Sequence, residues 1–109
     1  MELGYTRQVL HMAVESFVAD TESLQNRLCR VYVSHLIKLH EENFTPELWV
    51  RFERLKKAVT IYPAKLDEGA VKSSTSKMTN NEARQWIREI LSIFVKIIEL
   101  VAGPRNRLS

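Results

Sequence analysis

A chain of 109 residues, 45% apolar and 27% charged, has room for one domain with a buried core, and its composition excludes extensive disorder. Three glycines and three prolines are too few for an all-β fold assembled from many tight turns. The 16 Lys and Arg against 13 Asp and Glu leave a net charge of +3, a mild excess that permits an anionic partner without requiring one.

Four helices are expected in chain order. The first, over 5–19, repeats Tyr5, Val9, Met12 or Ala13, and Phe17 at helical spacing. Asp20 and Thr21 supply capping chemistry for the second, over 21–42, which sets Leu24, Leu28, Val31, His35 and Leu39 along one face. The third has the best-marked start. Thr45 is a good N-cap, Pro46 loses nothing at the first helical position, Glu47 suits the helix dipole, and Phe44 and Trp49 are spaced as a hydrophobic staple. Leu48, Phe52, Leu55 and Val59 form its buried stripe, and Pro63 bars its continuation. The fourth opens with Thr79 and Glu82 spaced as a capping box and stops at Gly103-Pro104, leaving 105–109 as a frayed tail.

Between the third and fourth helices, 63–78 carries the polar string Ser73-Ser74-Thr75-Ser76-Lys77 and reads as a long loop. Leu66, Ala70 and Val71 offer it a short helical turn to pack, which Gly69 weakens. With no repeat and no linker, the expected fold is all-α. It is a single domain over 1–109, a mainly antiparallel four-helix bundle with one long loop between the third and fourth helices.

The apolar positions of the fourth helix, Ala83, Trp86, Ile87, Ile90, Leu91, Phe94, Ile97, Ile98 and Val101, extended by Ile93 and Leu100, cover too much of its circumference for a single neighbour. Such a helix is either central in the bundle or part of an oligomer interface. A homodimer is expected, with Trp86, Ile93, Phe94, Ile97 and Leu100 as the residues of association.

Chemistry is sparse. The single Cys29 has no partner for an intrachain disulfide and cannot build a thiolate zinc site; its apolar setting suits an inert core thiol. His11, His35 and His40 give no metal-ligand spacing, and Gly4, Gly69 and Gly103 are too scattered for a phosphate loop, so neither a metal nor a cofactor is expected. Cys29 and His35 are six apart on a helix, roughly 120° from a shared face, and would not meet as nucleophile and base. The opening residues, with Glu2, Thr6, Arg7 and Gln8, do not form a basic-then-apolar leader. Arg88, Glu89, Lys96 and Glu99 interrupt the longest apolar region, 86–102. A cytoplasmic protein with no membrane partner is therefore expected.

Basic side chains are the second lead. Arg27, Arg30 and Lys38 fall along one face of the second helix, and Arg51 and Arg54 lie on the third with Lys56 and Lys57. Arg27, Arg30, Lys38, Arg51 and Arg54 form a candidate anion-binding set for nucleic acid. Interleaved Glu41, Glu42, Glu47 and Glu53 are the pattern of an ordinary solvated face.

The string Arg30-Val31-Tyr32-Val33-Ser34-His35 has an Arg-x4-His spacing that resembles the motif of HEPN nucleases, small all-α proteins that often dimerise. The resemblance implies that Arg30 and His35 line a dimer cleft and cleave RNA, the Arg holding phosphate and the His transferring a proton. Val31 is apolar where the family usually has a polar residue. From the residues alone, His35 lies on the apolar stripe, the place of a hydrogen-bonded structural histidine. The leading expectation is a non-enzymatic, homodimeric protein-interaction module. Its alternatives are a HEPN-like ribonuclease or toxin–antitoxin-related protein, and a non-catalytic nucleic-acid binder.

Overall fold

The computed structural model describes residues 2–63 and 67–103. Among them it has five α-helices and no strand: α1 (Gly4–Ala19), α2 (Leu24–Ser34), α3 (Pro46–Ala58), α4 (Asp67–Ser76) and α5 (Asn80–Ala102). Two 3-10 turns, Leu36–Lys38 and Glu41–Asn43, join α2 to α3. The molecule is therefore all-α, but with five helices instead of the four expected. The expected tail at 105–109 and Leu66 lie outside the described residues.

Helix starts follow the local chemistry. The hydroxyl of Ser23 accepts from the Asn26 amide at 3.1 Å at the start of α2, and that of Thr45 accepts from Leu48 at 3.4 Å ahead of α3. Thr79 and Glu82 exchange both bonds of a capping box, at 3.1 and 3.0 Å, ahead of α5. At the far end of α5, Gly103 has a φ of +76°, which only glycine adopts without strain, and its amide reaches Glu99 O at 3.1 Å.

Two expected elements differ. The second helix stops at Ser34 instead of running to residue 42. Val31, Tyr32, Val33 and Ser34 are all weaker helix formers than the Leu-Gln-Asn-Arg-Leu turns before them, taken as a block. At His35 the backbone leaves the helical region, with φ −128° and ψ −55°. The tighter 3-10 turn that follows brings Leu36 and Leu39, three apart, to the same side, and both are buried. The expected loop 63–78 is largely the helix α4. Its hydroxyls bond within the helix, Ser74 to Ala70 O at 2.7 Å and Thr75 to Val71 O at 2.9 Å, so polar side chains are buried there at no cost in unpaired groups. Ser74 also accepts the Tyr62 amide at 3.0 Å, tying the turn after α3 to α4.

Helix α5 is the common wall, packed by α1, α2 and α3, while α4 lies on α2. Its 23 residues rise about 35 Å along a molecule of 48 × 28 × 20 Å, whose short dimension is two helix diameters. α3 runs antiparallel to α5: Arg51 reaches Glu89 and Ser92, while the start of α3 sits beside Leu100. α1 is antiparallel to it as well. The Thr6 hydroxyl, near its start, donates to Asn43 O beside that same end, and α1 finishes just before α2, whose Gln25 reaches Asn80. The core between them is apolar, with Leu10, Phe17, Leu28, Tyr32, Phe52, Leu55, Ile90, Ile93 and Ile97 buried. Phe44 stacks on Phe52 with ring centroids 4.7 Å apart, and Trp49 lies 6.0 Å from Phe44, the staple expected at the start of α3.

Candidate functional site

Two places bring together residues that the sequence singles out: a cleft where α1 and α2 end, and the outward face of α5. The cleft is built by the turn between the first two helices. α1 stops at Ala19, and Asp20 turns the chain by accepting the Glu22 amide at 2.8 Å. Arg27 Nε donates to Glu22 O at 2.7 Å, and Arg30 Nη1 donates to Asp20 Oδ2 at 3.3 Å. The Glu22 amide, with Arg30 and Arg27, holds the Asp20 carboxyl below its usual range against the smaller opposing effect of burial.

One α2 turn further on, His35 closes the helix, and its Nε2 lies 3.2 Å from Ser16 Oγ on α1. The space between has a volume of about 460 Å³ and is lined by Ser16, Asp20, Thr21, Arg30, Ser34 and His35, with Ala19 and Val31. Arg30 and His35, the two residues of the Arg-x4-His string, thus face one cleft. An imidazole beside a hydroxyl and a guanidinium is a set able to move a proton and hold an oxyanion. The electrostatics lean the other way. Asp20 offsets the Arg30 charge, and the C-terminal carbonyls of two helices bring partial negative charge to the same place.

The remaining basic candidates are dispersed. Arg51 holds Glu89 in a two-bond fork at 2.9 and 2.7 Å and gives a further bond to Ser92 Oγ at 2.8 Å. The Arg51 guanidinium, with Arg54 nearby, keeps the Glu89 carboxyl below its usual range although burial acts in the opposite sense. Lys38 stands in the 3-10 turn beyond α2, so it does not continue the Arg27–Arg30 face. Of the five anion-binding candidates, Arg27, Arg30 and Arg51 are engaged by oxygen acceptors of the chain.

Cys29 is half-buried against the core, and among the described residues no group of three His, Cys, Asp or Glu side chains is arranged to hold a metal ion. His11 stacks on Phe94 at 6.0 Å and lies 3.6 Å from Glu15. His40 begins the second 3-10 turn, its amide donating to Asn43 Oδ1 at 2.8 Å. No helix among the described residues is long and apolar enough to cross a membrane.

On α5 the structure separates the five residues expected to mediate association. Ile93 and Ile97 are fully buried and belong to the chain's own core. Trp86 and Phe94 are half-buried. Leu100 is exposed beside the start of α3, where it lines a groove with Leu48, Arg51 and Lys96. The outward stripe is instead Leu91, Val95 and Ile98, at i, i+4 and i+7, with Val101 at its edge, and each is 41–46% exposed. Leu91, Ile98 and Val101 of this row are among the apolar positions of the sequence pattern, whereas Val95 is not singled out there. What singles the row out is the position of α1, α2 and α3, which cover the other sides. No family model matches the chain, and neither a curated protein nor a solved structure matches it.

Proposed function

We propose that the chain is a small non-catalytic helical protein that acts by association, pairing with a second copy through the outward face of α5 and presenting the pair to a protein partner. One observation carries this reading. The longest helix fills the core with one side and still offers Leu91, Val95, Ile98 and Val101 to solvent on another, each between 41% and 46% exposed. Scattered apolar side chains on a surface need no explanation, but a continuous row along one helix is the pattern of a contact surface. Sedimentation velocity of the wild type and of Val95→Glu tests it. The wild type should self-associate reversibly with concentration, and the variant should sediment as a monomer with an unchanged helical circular-dichroism spectrum. A wild type that stays monomeric, or a variant that pairs as the wild type does, refutes the reading.

A second reading is favoured by the shared cleft of Arg30 and His35. There the protein would be a ribonuclease, with His35 transferring a proton and Arg30 holding phosphate. The Asp20–Arg30 pair at 3.3 Å counts against it, because the charge needed for phosphate is already compensated. Incubation with single-stranded RNA decides: cleavage that disappears in His35→Ala would establish this reading, and intact RNA would remove it.

A further inference from the structure

The second copy can be given an orientation from the pattern of α5 itself, an inference that rests on the association reading above. Beside the row Leu91, Val95 and Ile98 runs a second, exposed row of Arg88, Ser92 and Glu99, at i, i+4 and i+11. Leu91 and Ile98 are equidistant from a point between Phe94 and Val95. Arg88 and Glu99 are equidistant from a point between Ile93 and Phe94. The two midpoints differ by one residue, about 1.5 Å along the helix axis, well within the reach of an arginine side chain. A twofold axis through this point, perpendicular to the helix, therefore does two things together. It sets Leu91 of one protomer against Ile98 of the other, and it sets Arg88 against the opposite protomer's Glu99, twice, along the same edge.

The opposite arrangement loses this match. In a parallel pair the twofold lies along the helices and carries the Arg88–Glu99 edge to the far side of the contact, where it meets no copy of itself. Glu99 lies 3.6 Å from Lys96 within the chain, both more than half exposed, and that solvated contact leaves its carboxylate open to a second cation. We propose that the protein forms an antiparallel α5–α5 homodimer, centred at Phe94 and Val95 and registered by two Arg88–Glu99 pairs between protomers. A standard interface takes about 800 Å² from each partner, more than a single helix face supplies, so the pair is a reversible dimer of modest affinity. Charge pairs at such a rim set orientation and partner choice more than strength.

A charge exchange tests the register separately from association itself. Dimer dissociation is measured by sedimentation velocity over a concentration series for the wild type, Arg88→Glu, Glu99→Arg, the double exchange Arg88→Glu/Glu99→Arg, and Val95→Glu. Each single reversal places two like-charge pairs across the axis and should weaken the dimer by on the order of tenfold; the double exchange should return it to within about threefold of the wild type. If Val95→Glu abolishes pairing while the reversals leave it unchanged, or the double exchange is no better than the singles, association stands and the antiparallel register is overturned. A monomeric wild type, or a Val95→Glu protein that still pairs, removes the association reading and this inference with it. Circular dichroism of every variant confirms that these exposed changes leave the helices folded.

Discussion

Arg51 and Glu89 join α3 to α5 by the strongest polar contact across the two helices, a two-bond fork between side chains about 28% and 29% exposed. Partial screening by solvent keeps its value modest, and Arg51→Met should cost about 1 kcal/mol in a urea titration at neutral pH. The pH dependence has a definite sign. The folded Glu89 carboxyl lies below its unfolded value, so the pair's contribution is present above the ordinary carboxylate range and is lost as pH falls through the folded value. Wild type and Arg51→Met should thus converge in stability in acid. Tyr32 gives the opposite case: burial pushes its phenol up to about 12. Its contribution is complete below about pH 10 and is lost as pH rises from there towards about 12. Absorbance titration should find Tyr32 ionising in a late step, displaced upward from the ordinary phenol range. In Tyr32→Phe that late step should be absent. At this scale the sequence was most legible where a residue's partner is three or four positions away. Thr45, Thr79 with Glu82, and Gly103 do as their neighbours dictate. The Ser16 partner of His35 depends on how α1 meets α2, which no local pattern encodes.

The helices show the same division between near and distant causes. α1, α3 and α5 were readable because apolar period and end signals agree over most of their lengths. α2 is shorter than its sequence pattern suggests because His35, Leu36 and Leu39 continue an apolar period that the backbone serves with a 3-10 turn instead of an α-helix. α4 is masked in the sequence because Ser73, Ser74, Thr75 and Ser76 look solvated in a string, whereas Ser74 and Thr75 turn their hydroxyls back onto the preceding turn and lie buried. A ten-residue helix is too short to persist alone, and α4 depends on its packing against α2. Hydrogen exchange should therefore find the amides of α4 opening before those at Ile90, Ile93 and Ile97 in α5. Simultaneous exchange of both segments would show that α4 is fully coupled to the core. Val71, 1% exposed, is the apolar side chain of α4 in the core, and Val71→Ala should bring forward α4 exchange more than it lowers global stability.

The whole molecule is organised around one helix that serves both inside and outside. The breadth of the apolar surface on α5 was legible, and so was the choice it poses between a central position and an interface. Which stripe does which was not. Ile93 and Ile97 differ in no chemical respect from Ile98, and the placement of the helices packed on α5 assigns the first two to the core. Substitutions should divide accordingly. Ile97→Ala leaves a cavity at a fully buried site and should lower global stability by about 2–5 kcal/mol. Ile98→Ala, at a site 41% exposed, should cost well under half as much and, if the proposed pairing holds, should weaken it, and thermal melts with concentration-dependent sedimentation separate the two effects.

The same arrangement bears on how the protein is made. α1, α2 and α3 share a wall that is translated after all of them, since α5 begins only at Asn80. Until that helix leaves the ribosome, Leu10, Phe17, Leu28 and Phe52 lack the surface that completes their burial. The nascent chain must hold these hydrophobic side chains in an unfinished state, the kind of species that chaperones bind and that aggregates when they do not. Completion of the core is thus deferred until α5 has been made, and the segment that closes the core also carries the exposed row Leu91, Val95 and Ile98, so a chain halted before Asn80 has neither its wall nor that row.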